Sequence, residues 1–454
     1  MILLTHAYFL EEDEKEKRIM KPYVPLGLLY ISAFLESKKI SHEVLDSTFV
    51  SYENFQNELI RLKPVIVGIY TNLMTKINVL KMVQLIKSRA DLAHCKIILG
   101  GPEIRYNATN YLNHGADILV VGEGEITFYE LCQALQNSDA EFQKVPGIAY
   151  LNNNQVVFTK ERNLIKDINI LPMPARHKIN LKLYGDAWKK AHGYSMYSIS
   201  TMRGCPYTCK WCSRAVYGGT YRRRSPKLVV DEMAFLQEHY QPDQIWFVDD
   251  VFTINHKWLR EFNAELKARN IKIPFEIITR ADRMNEEVIH LLKDSGCFRI
   301  WIGAESGSQQ IIDAMDRRVD VEMVRNMIIK SKQYGMEAGT FIMLGYPGET
   351  KQDIALTIDH LKKSKPSFYT ITVAYPITGT PLFFEEEQNI TSGGEWHQVS
   401  DRESQLKRKY SKQFYNNALT WVSMEVQYDK TPWSLQKMKL KAKSLWAQTR
   451  MLFN

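Results

Sequence analysis

The sequence predicts an α/β protein: an N-terminal doubly wound parallel sheet, then a partial (β/α)6 barrel, then a mainly helical C-terminal segment. Three observations carry this. Short apolar runs alternate with amphipathic stretches over the first 135 or so residues, six more such runs follow from Tyr197, and the periodicity fades after Pro381. The 454 residues suffice for two or three units, each with a core of its own.

In the first series the spacing predicts strands at Met1–Thr5, His42–Leu45, Val65–Tyr70, Lys96–Leu99 and Ile118–Val121, with helices such as Leu26–Ser37 and Asn78–Ser88 between them. Ligands of such sheets lie beyond the C-terminal strand ends. Two of those ends carry Gly100-Gly101 and Gly122-Glu123-Gly124, where backbone can approach a ligand, although glycines there also serve as tight turns. From Val145 to about Lys190 an Asn-rich turn between two short runs, then Leu171-Pro172-Met173-Pro174, reads as a hairpin and an extended linker. The second series predicts strands at Tyr197–Thr201, Gln244–Val248, Phe275–Thr279, Arg299–Ala304, Gly339–Leu344 and Phe368–Ala374 with helices between them, a barrel whose site lies at the strand C-terminal ends. The expected domains are residues 1–140, a hairpin and linker at 141–190, a barrel at 191–385 and a helical cap at 386–454.

A composition of 45% hydrophobic and 24% charged residues is that of a globular protein, and no apolar run is long enough to span a membrane. The N-terminus turns acidic at Glu11-Glu12-Asp13-Glu14, unlike a secretory leader, so the expected location is cytoplasmic. The net charge of +8 is spread thinly except at Arg222-Arg223-Arg224 and in the Lys-rich tail. The tail reads as a solvated helix face, with no nucleic-acid partner expected, and the arginine run as either solvated or set near an anionic cofactor or substrate.

Six cysteines do not make a disulfide framework here, because Cys95, Cys132 and Cys297 read as small core residues. The other three, Cys205, Cys209 and Cys212, lie in Met202-Arg203-Gly204-Cys205-Pro206-Tyr207-Thr208-Cys209-Lys210-Trp211-Cys212, directly after the first barrel strand. Three thiolates on one loop can hold three irons of a cubic cluster and leave the fourth open. Zinc suits the spacing poorly, since a closed tetrahedral site wants a fourth ligand. Tyr207 and Trp211 are expected to shield the cluster, and Arg203 and Lys210 to offset its charge.

This C-x3-C-x2-C loop, with an aromatic before its last cysteine, resembles that of the radical S-adenosylmethionine superfamily. The resemblance implies a [4Fe-4S] cluster whose open iron chelates S-adenosylmethionine, and reductive cleavage of that sulfonium to a 5′-deoxyadenosyl radical. It also implies an electron donor such as flavodoxin or ferredoxin. By resemblance Asp249 and Asp250 contact the methionine ammonium, Arg280, Glu305 and Ser306 hold carboxylate and ribose, and Leu344, Gly345 and Pro347 cradle adenine. Each alone has a plain reading as a strand-end cap or turn. No catalytic side chain is assigned.

The first series, with Pro25-Leu26-Gly27-Leu28, Gly100-Gly101-Pro102 and Gly122-Glu123-Gly124-Glu125, is similar to the cobalamin-binding domain that precedes many of these enzymes. The layout resembles the branch of the anaerobic Mg-protoporphyrin monomethyl ester cyclase and the cobalamin-dependent C-methyltransferases. The D-x-H-x-x-G segment that ligates cobalt in other cobalamin proteins is absent, and His6 and His42 lack its context. The expectation is cobalamin-dependent C-methylation of an unactivated carbon in a small molecule or lipid. Oxidative ring formation on a porphyrin- or lipid-like substrate is the alternative. Two lesser readings are a tRNA methylthiotransferase, which wants further cluster cysteines in its first domain, and a non-enzymatic iron–sulfur or corrin sensor.

Overall fold

The computed structural model describes residues 1–137, 141–391, 393–399 and 405–452. The first sheet has seven strands in the order β2-β1-β3-β4-β5-β6-β7. These are β1 (Ile2–His6), β2 (His42–Leu45), β3 (Ile66–Tyr70), β4 (Lys96–Gly100), β5 (Ile118–Val120), β6 (Ile148–Asn152) and β7 (Gln155–Phe158). The first five pair in parallel. Alternate residues of each strand feed opposite faces, as the pleat requires. Leu3, Val67, Ile97 and Leu99 pack with Val79, Met82 and Val83 of the helix Lys76–Ser88, whereas Leu4, Ile66, Ile98 and Ile118 pack with Leu28 and Leu35 of the helix Leu26–Ser37. Each fully buried aliphatic side chain contributes about 1.5–3 kcal/mol. Both faces are covered, hence the near-continuous apolar runs.

One difference from the sequence reading concerns the hairpin. Strand β6 pairs antiparallel with β5, and β7 with β6, so the hairpin extends the first sheet instead of standing outside it. Ile148 and Tyr150 complete the core on one face, and β5 is no longer an exposed edge.

The second series supplies β8 (Met196–Ile199), β11 (Gln244–Phe247), β12 (Phe275–Thr279), β13 (Cys297–Glu305), β14 (Glu337–Leu344) and β15 (Phe368–Val373), and the order along their sheet is that of the chain. Two two-residue strands, β9 (Met202–Arg203) and β10 (Arg222–Arg223), form a separate ribbon. Strands β12 to β15 pair in parallel, and a helix precedes each of β11 to β15, the repeat of a partial (β/α)6 barrel. Observed bounds lie within about two residues of the expected ones.

Contacts divide the chain into two units. The first comprises Met1–Pro206, Ser213–Trp246 and Ser392–Ser404, and the second Tyr207–Cys212, Phe247–Thr391 and Gln405–Asn454. In the second, the helices Lys412–Lys430 and Leu435–Arg450 pack on each other, and the former on the helix Lys351–Ser364. Glu425 ties all three, accepting from Lys362, from Lys441 Nζ at 2.7 Å and from Ser444 Oγ at 2.6 Å. Burial alone would raise its carboxyl, but these donors hold it down at about 2. Among the described residues no helix is long and apolar enough to cross a membrane.

Candidate active site

In the second unit two arginines converge on one thiol. Arg280, directly after β12, places Nη1 3.6 Å from Cys209 Sγ, donates Nη2 to the Arg317 carbonyl at 2.7 Å and Nε to Asp282 at 2.8 Å. Arg317 places Nη1 3.8 Å from the same sulfur and donates Nη2 to the Gly303 carbonyl at 2.7 Å. Its Nε is buried without a partner. Cys209 is buried and Cys212 exposed. Desolvation, then the Cys209 charge, pushes the Cys212 thiol up, and a cluster iron would supply the positive charge that holds it as a thiolate. Tyr207 covers Arg280, its ring centroid 3.9 Å from the guanidinium carbon, and Trp211 flanks Arg317 at 5.7 Å.

Carboxylates stand at the neighbouring strand ends. Asp249 is buried just after β11, and desolvation followed by the Asp249 charge raises the Asp250 carboxyl. Glu305 ends β13 with φ +63°, where the register with β14 slips between Gly303 and Glu305. A bulge re-aims a side chain, and a non-glycine residue held left-handed costs of order 1–3 kcal/mol, which the surrounding structure must sustain. Burial raises the Glu305 carboxyl, while Arg317 Nη2 stands 3.6 Å from it.

Other expected residues have internal duties as well. Ser306 Oγ meets Thr357 Oγ1 at 3.3 Å and accepts from Ser308 N at 3.1 Å, which holds the loop after β13. Leu344 is fully buried, Pro347 half-buried, and Gly345 takes φ +75° with its N–H donating to Glu349 Oε2 at 2.6 Å. A Cβ on Gly345 would lie 3.0 Å from Arg408 Nε, so backbone and guanidinium meet only because the residue is glycine.

Two expectations fail. Arg203 and Lys210 do not stand as free charges for a cluster. Arg203 is buried in the first unit between Glu123, 2.8 Å away, and Glu125, and Lys210 pairs with Glu385 at 2.8 Å in the second. Arg222 pairs with Glu123 at 2.7 Å and Arg224 with Glu232, so these two members of the arginine run are neither solvated nor free. Charged acceptors outside the motif claim these cations, those of Arg203, Lys210 and Arg222 far along the chain, and a local reading of the motif does not see them.

In the first unit the strand-end glycines divide. A Cβ on Gly101, at φ +125°, would fall 2.1 Å from the Thr71 carbonyl oxygen, and one on Gly124 would fall 2.9 Å from Ile31, so both have packing reasons. Gly100 has ordinary contacts, while Gly122, at φ +99°, has nothing nearer than 3.9 Å. Thr71 Oγ1, one residue past β3, is buried without a partner. Both histidines are engaged: His6 bonds Asp46 at 2.9 Å and accepts from Tyr8 N, and His42 bonds Ser32 at 2.7 Å and the Ile40 carbonyl at 2.9 Å. Neither keeps a ring nitrogen for a metal.

A model of the B12 binding domain matches residues 19–132, and one of the radical SAM superfamily matches residues 199–361. The chain carries a radical SAM domain after a B12-binding domain. It is 26% identical over 393 residues to an uncharacterized methyltransferase of Pyrococcus horikoshii, covering 85% of this chain and 83% of that protein. It is 26% identical over 350 residues to the anaerobic magnesium-protoporphyrin IX monomethyl ester cyclase of Cereibacter sphaeroides, over 75% of this chain and 56% of the cyclase. In fold it is similar to the radical S-adenosylmethionine methyltransferase TsrM from Kitasatospora setae, solved with cobalamin and a [4Fe-4S] cluster, with TM-score 0.71, 18% identity, and 87% of this chain and 81% of that one covered.

This radical SAM protein is therefore an enzyme whose cofactors are a [4Fe-4S] cluster, S-adenosylmethionine and cobalamin. The residues present suit them. Two guanidiniums approach the Cys209 sulfur, one of them with a buried N–H left unpartnered, as an anionic cluster would require, and an open glycine turn and an orphaned hydroxyl lie at the strand ends of the B12-binding domain. Arg317 was missed in the sequence because it sits in a loop after a short helix, inside no motif.

Proposed function

We propose that the protein C-methylates an unactivated carbon of a small molecule or lipid. The observation that carries this is the succession, in one chain, of a B12-binding match and a radical SAM match whose cysteine loop holds Cys209 against Arg280 and Arg317. When bound, the cluster supplies the electron that splits S-adenosylmethionine to an organic radical, and the corrin supplies a transferable methyl group.

The chain's own residues do the rest. Cys205, Cys209 and Cys212 ligate the cluster, and Arg280 and Arg317 offset its negative charge. Asp249 and Asp250 accept the ammonium of S-adenosylmethionine, Glu305 accepts from its ribose, and Leu344 to Pro347 form the wall for adenine. Tyr207 and Trp211 keep water from the sulfur. The corrin belongs to residues 1–140, with Gly122 opening the approach, the cluster and S-adenosylmethionine to 191–385, and 386–454 serve as a helical cap. A flavodoxin or ferredoxin supplies the electron, in the reducing cytoplasm that keeps the six cysteines out of disulfides.

The likeness to the cyclase favours a second reading, oxidative ring formation without methyl transfer. Protein reconstituted without oxygen with iron, sulfide and hydroxocobalamin, then given methyl-labelled S-adenosylmethionine, a reductant and a small-molecule extract, separates the two. Label in a new small molecule supports C-methylation. A product lighter by two hydrogens and free of label defeats it in favour of ring formation.

A further inference from the structure

Past the C-terminal ends of β14 and β15, in the second unit, lies a cavity of about 230 Å³. Tyr346, Glu349, Lys407, Arg408, Lys409 and Tyr415 are among its lining residues. Arg408 is fixed at its mouth by the strand ends themselves. It donates Nε to the Gly345 carbonyl at 3.0 Å and Nη2 to the Ala374 carbonyl.

What Arg408 lacks is a counter-charge: among the described residues no carboxylate forms an ion pair with it and Nη1 has no hydrogen-bond acceptor. The nearest buried acid in the lining, Glu349, does not serve, because burial lifts its carboxyl to about 8 and leaves it mainly protonated at neutral pH. Its Oε1 is buried without a partner, in a side chain only 1% exposed. Glu386 is the other acid of the lining, and it accepts from Asn389 Nδ2 at 2.8 Å. Lys407 and Lys409, both exposed, bring two further positive charges to the rim. Three cations against one ionised carboxylate, with desolvation acting against the Arg408 charge, make a site short of negative charge.

We propose that this cavity binds the oxyanion group of the substrate, a phosphate, phosphonate or carboxylate carried by the molecule to be methylated. The Arg408 fork keeps Nη1 for one oxygen, Lys407 and Lys409 neutralise the remainder, and the protonated Glu349 has an O–H to donate. The ligand's identity as the methyl acceptor rests on the C-methylation reading, but binding of the anion does not.

The test is calorimetric titration of the reconstituted holoenzyme with inorganic phosphate, with and without S-adenosylmethionine. Saturable binding is expected, weakened about tenfold in K407A/K409A, whose side chains are solvent-exposed and leave the fold intact. Arg408→Gln is expected to abolish it. Absence of saturable binding, or equal affinity in the lysine double variant, overturns the proposal. Displacement of phosphate by S-adenosylmethionine also overturns it, since the anion site would then belong to the cofactor's carboxylate. Phosphate binding without methyl transfer defeats the C-methylation reading alone. Methyl transfer without phosphate binding defeats the oxyanion site alone.

Discussion

The arginines of the two units are buried alike and partnered differently. In the first unit Arg176 and Arg224 share Glu232, while Arg203 and Arg222 share Glu123, Arg203 also gripping Glu125. Each buried guanidinium there meets a full negative charge. In the second unit Arg280 and Arg317 each meet a carboxylate, Asp282 and Glu305, but also turn N–H groups to a cysteine sulfur and to backbone carbonyls, and Arg408 donates to carbonyls alone. A guanidinium matched by carboxylates locks structure. One that also reaches a cysteine sulfur, or that meets no carboxylate, has N–H groups left to address to a ligand, and that difference separates scaffold from site in a chain rich in both.

Substitutions can break the contrast. Cys209→Ala has the largest expected effect: 5′-deoxyadenosine formation falls to background while circular dichroism keeps the α/β signature. Persistent cleavage would remove Cys209 from the cluster. In the first unit, Glu232→Ala strands two buried guanidiniums and is expected to cost about 3–5 kcal/mol in urea unfolding. A loss under about 1 kcal/mol would mean that Glu232 does not lock that unit.

Arg317→Gln sharpens the comparison from the other side. Reductive cleavage is expected to fall about a hundredfold, near 2.7 kcal/mol, with the cluster potential moved more negative because a cation beside it is gone. An unmoved potential would make Arg317 structural only.

The smallest effect is one of pH. Glu425 sits well below its ordinary value, so its contribution is fully present above about pH 4.5 and is lost as pH falls through about 2. The C-terminal helices should loosen across that window by on the order of 2 kcal/mol, a dependence that Glu425→Gln removes. Tryptophan fluorescence of Trp421, on the helix Lys412–Lys430, follows it.

The backbone plan was legible in the sequence because both sheets announce themselves by periodicity. Runs such as Val65–Tyr70 and Ile118–Val121 are apolar on both faces and end at turn residues, leaving little freedom in where a strand begins. The cysteine loop was legible by spacing. What escaped was partnership across distance. Arg203 lies two residues before Cys205 and reads as part of that loop until Glu123 and Glu125, some 80 residues earlier, turn out to hold it. Arg317 and Arg408 stand in loops without a motif, and only the folded strand ends give them a target. The hairpin was visible, but its docking on β5 depends on an open sheet edge, which no local pattern encodes.

The Arg203 clasp bears on how freely this protein can be recombined. Its guanidinium comes from the stretch leading into the cysteine loop, and its carboxylates come from Glu123, in the turn after β5, and Glu125, in the first turn of the helix Gly124–Asn137. A chimera that takes residues 1–190 from a relative and the remainder from this chain inherits a buried arginine whose acids were chosen by another lineage. Unless both acidic positions travel with it, the graft carries an unpaired charge beside its most reactive loop. The two halves are thus heritable as a pair, and the seam for any domain swap lies elsewhere than at the apparent linker.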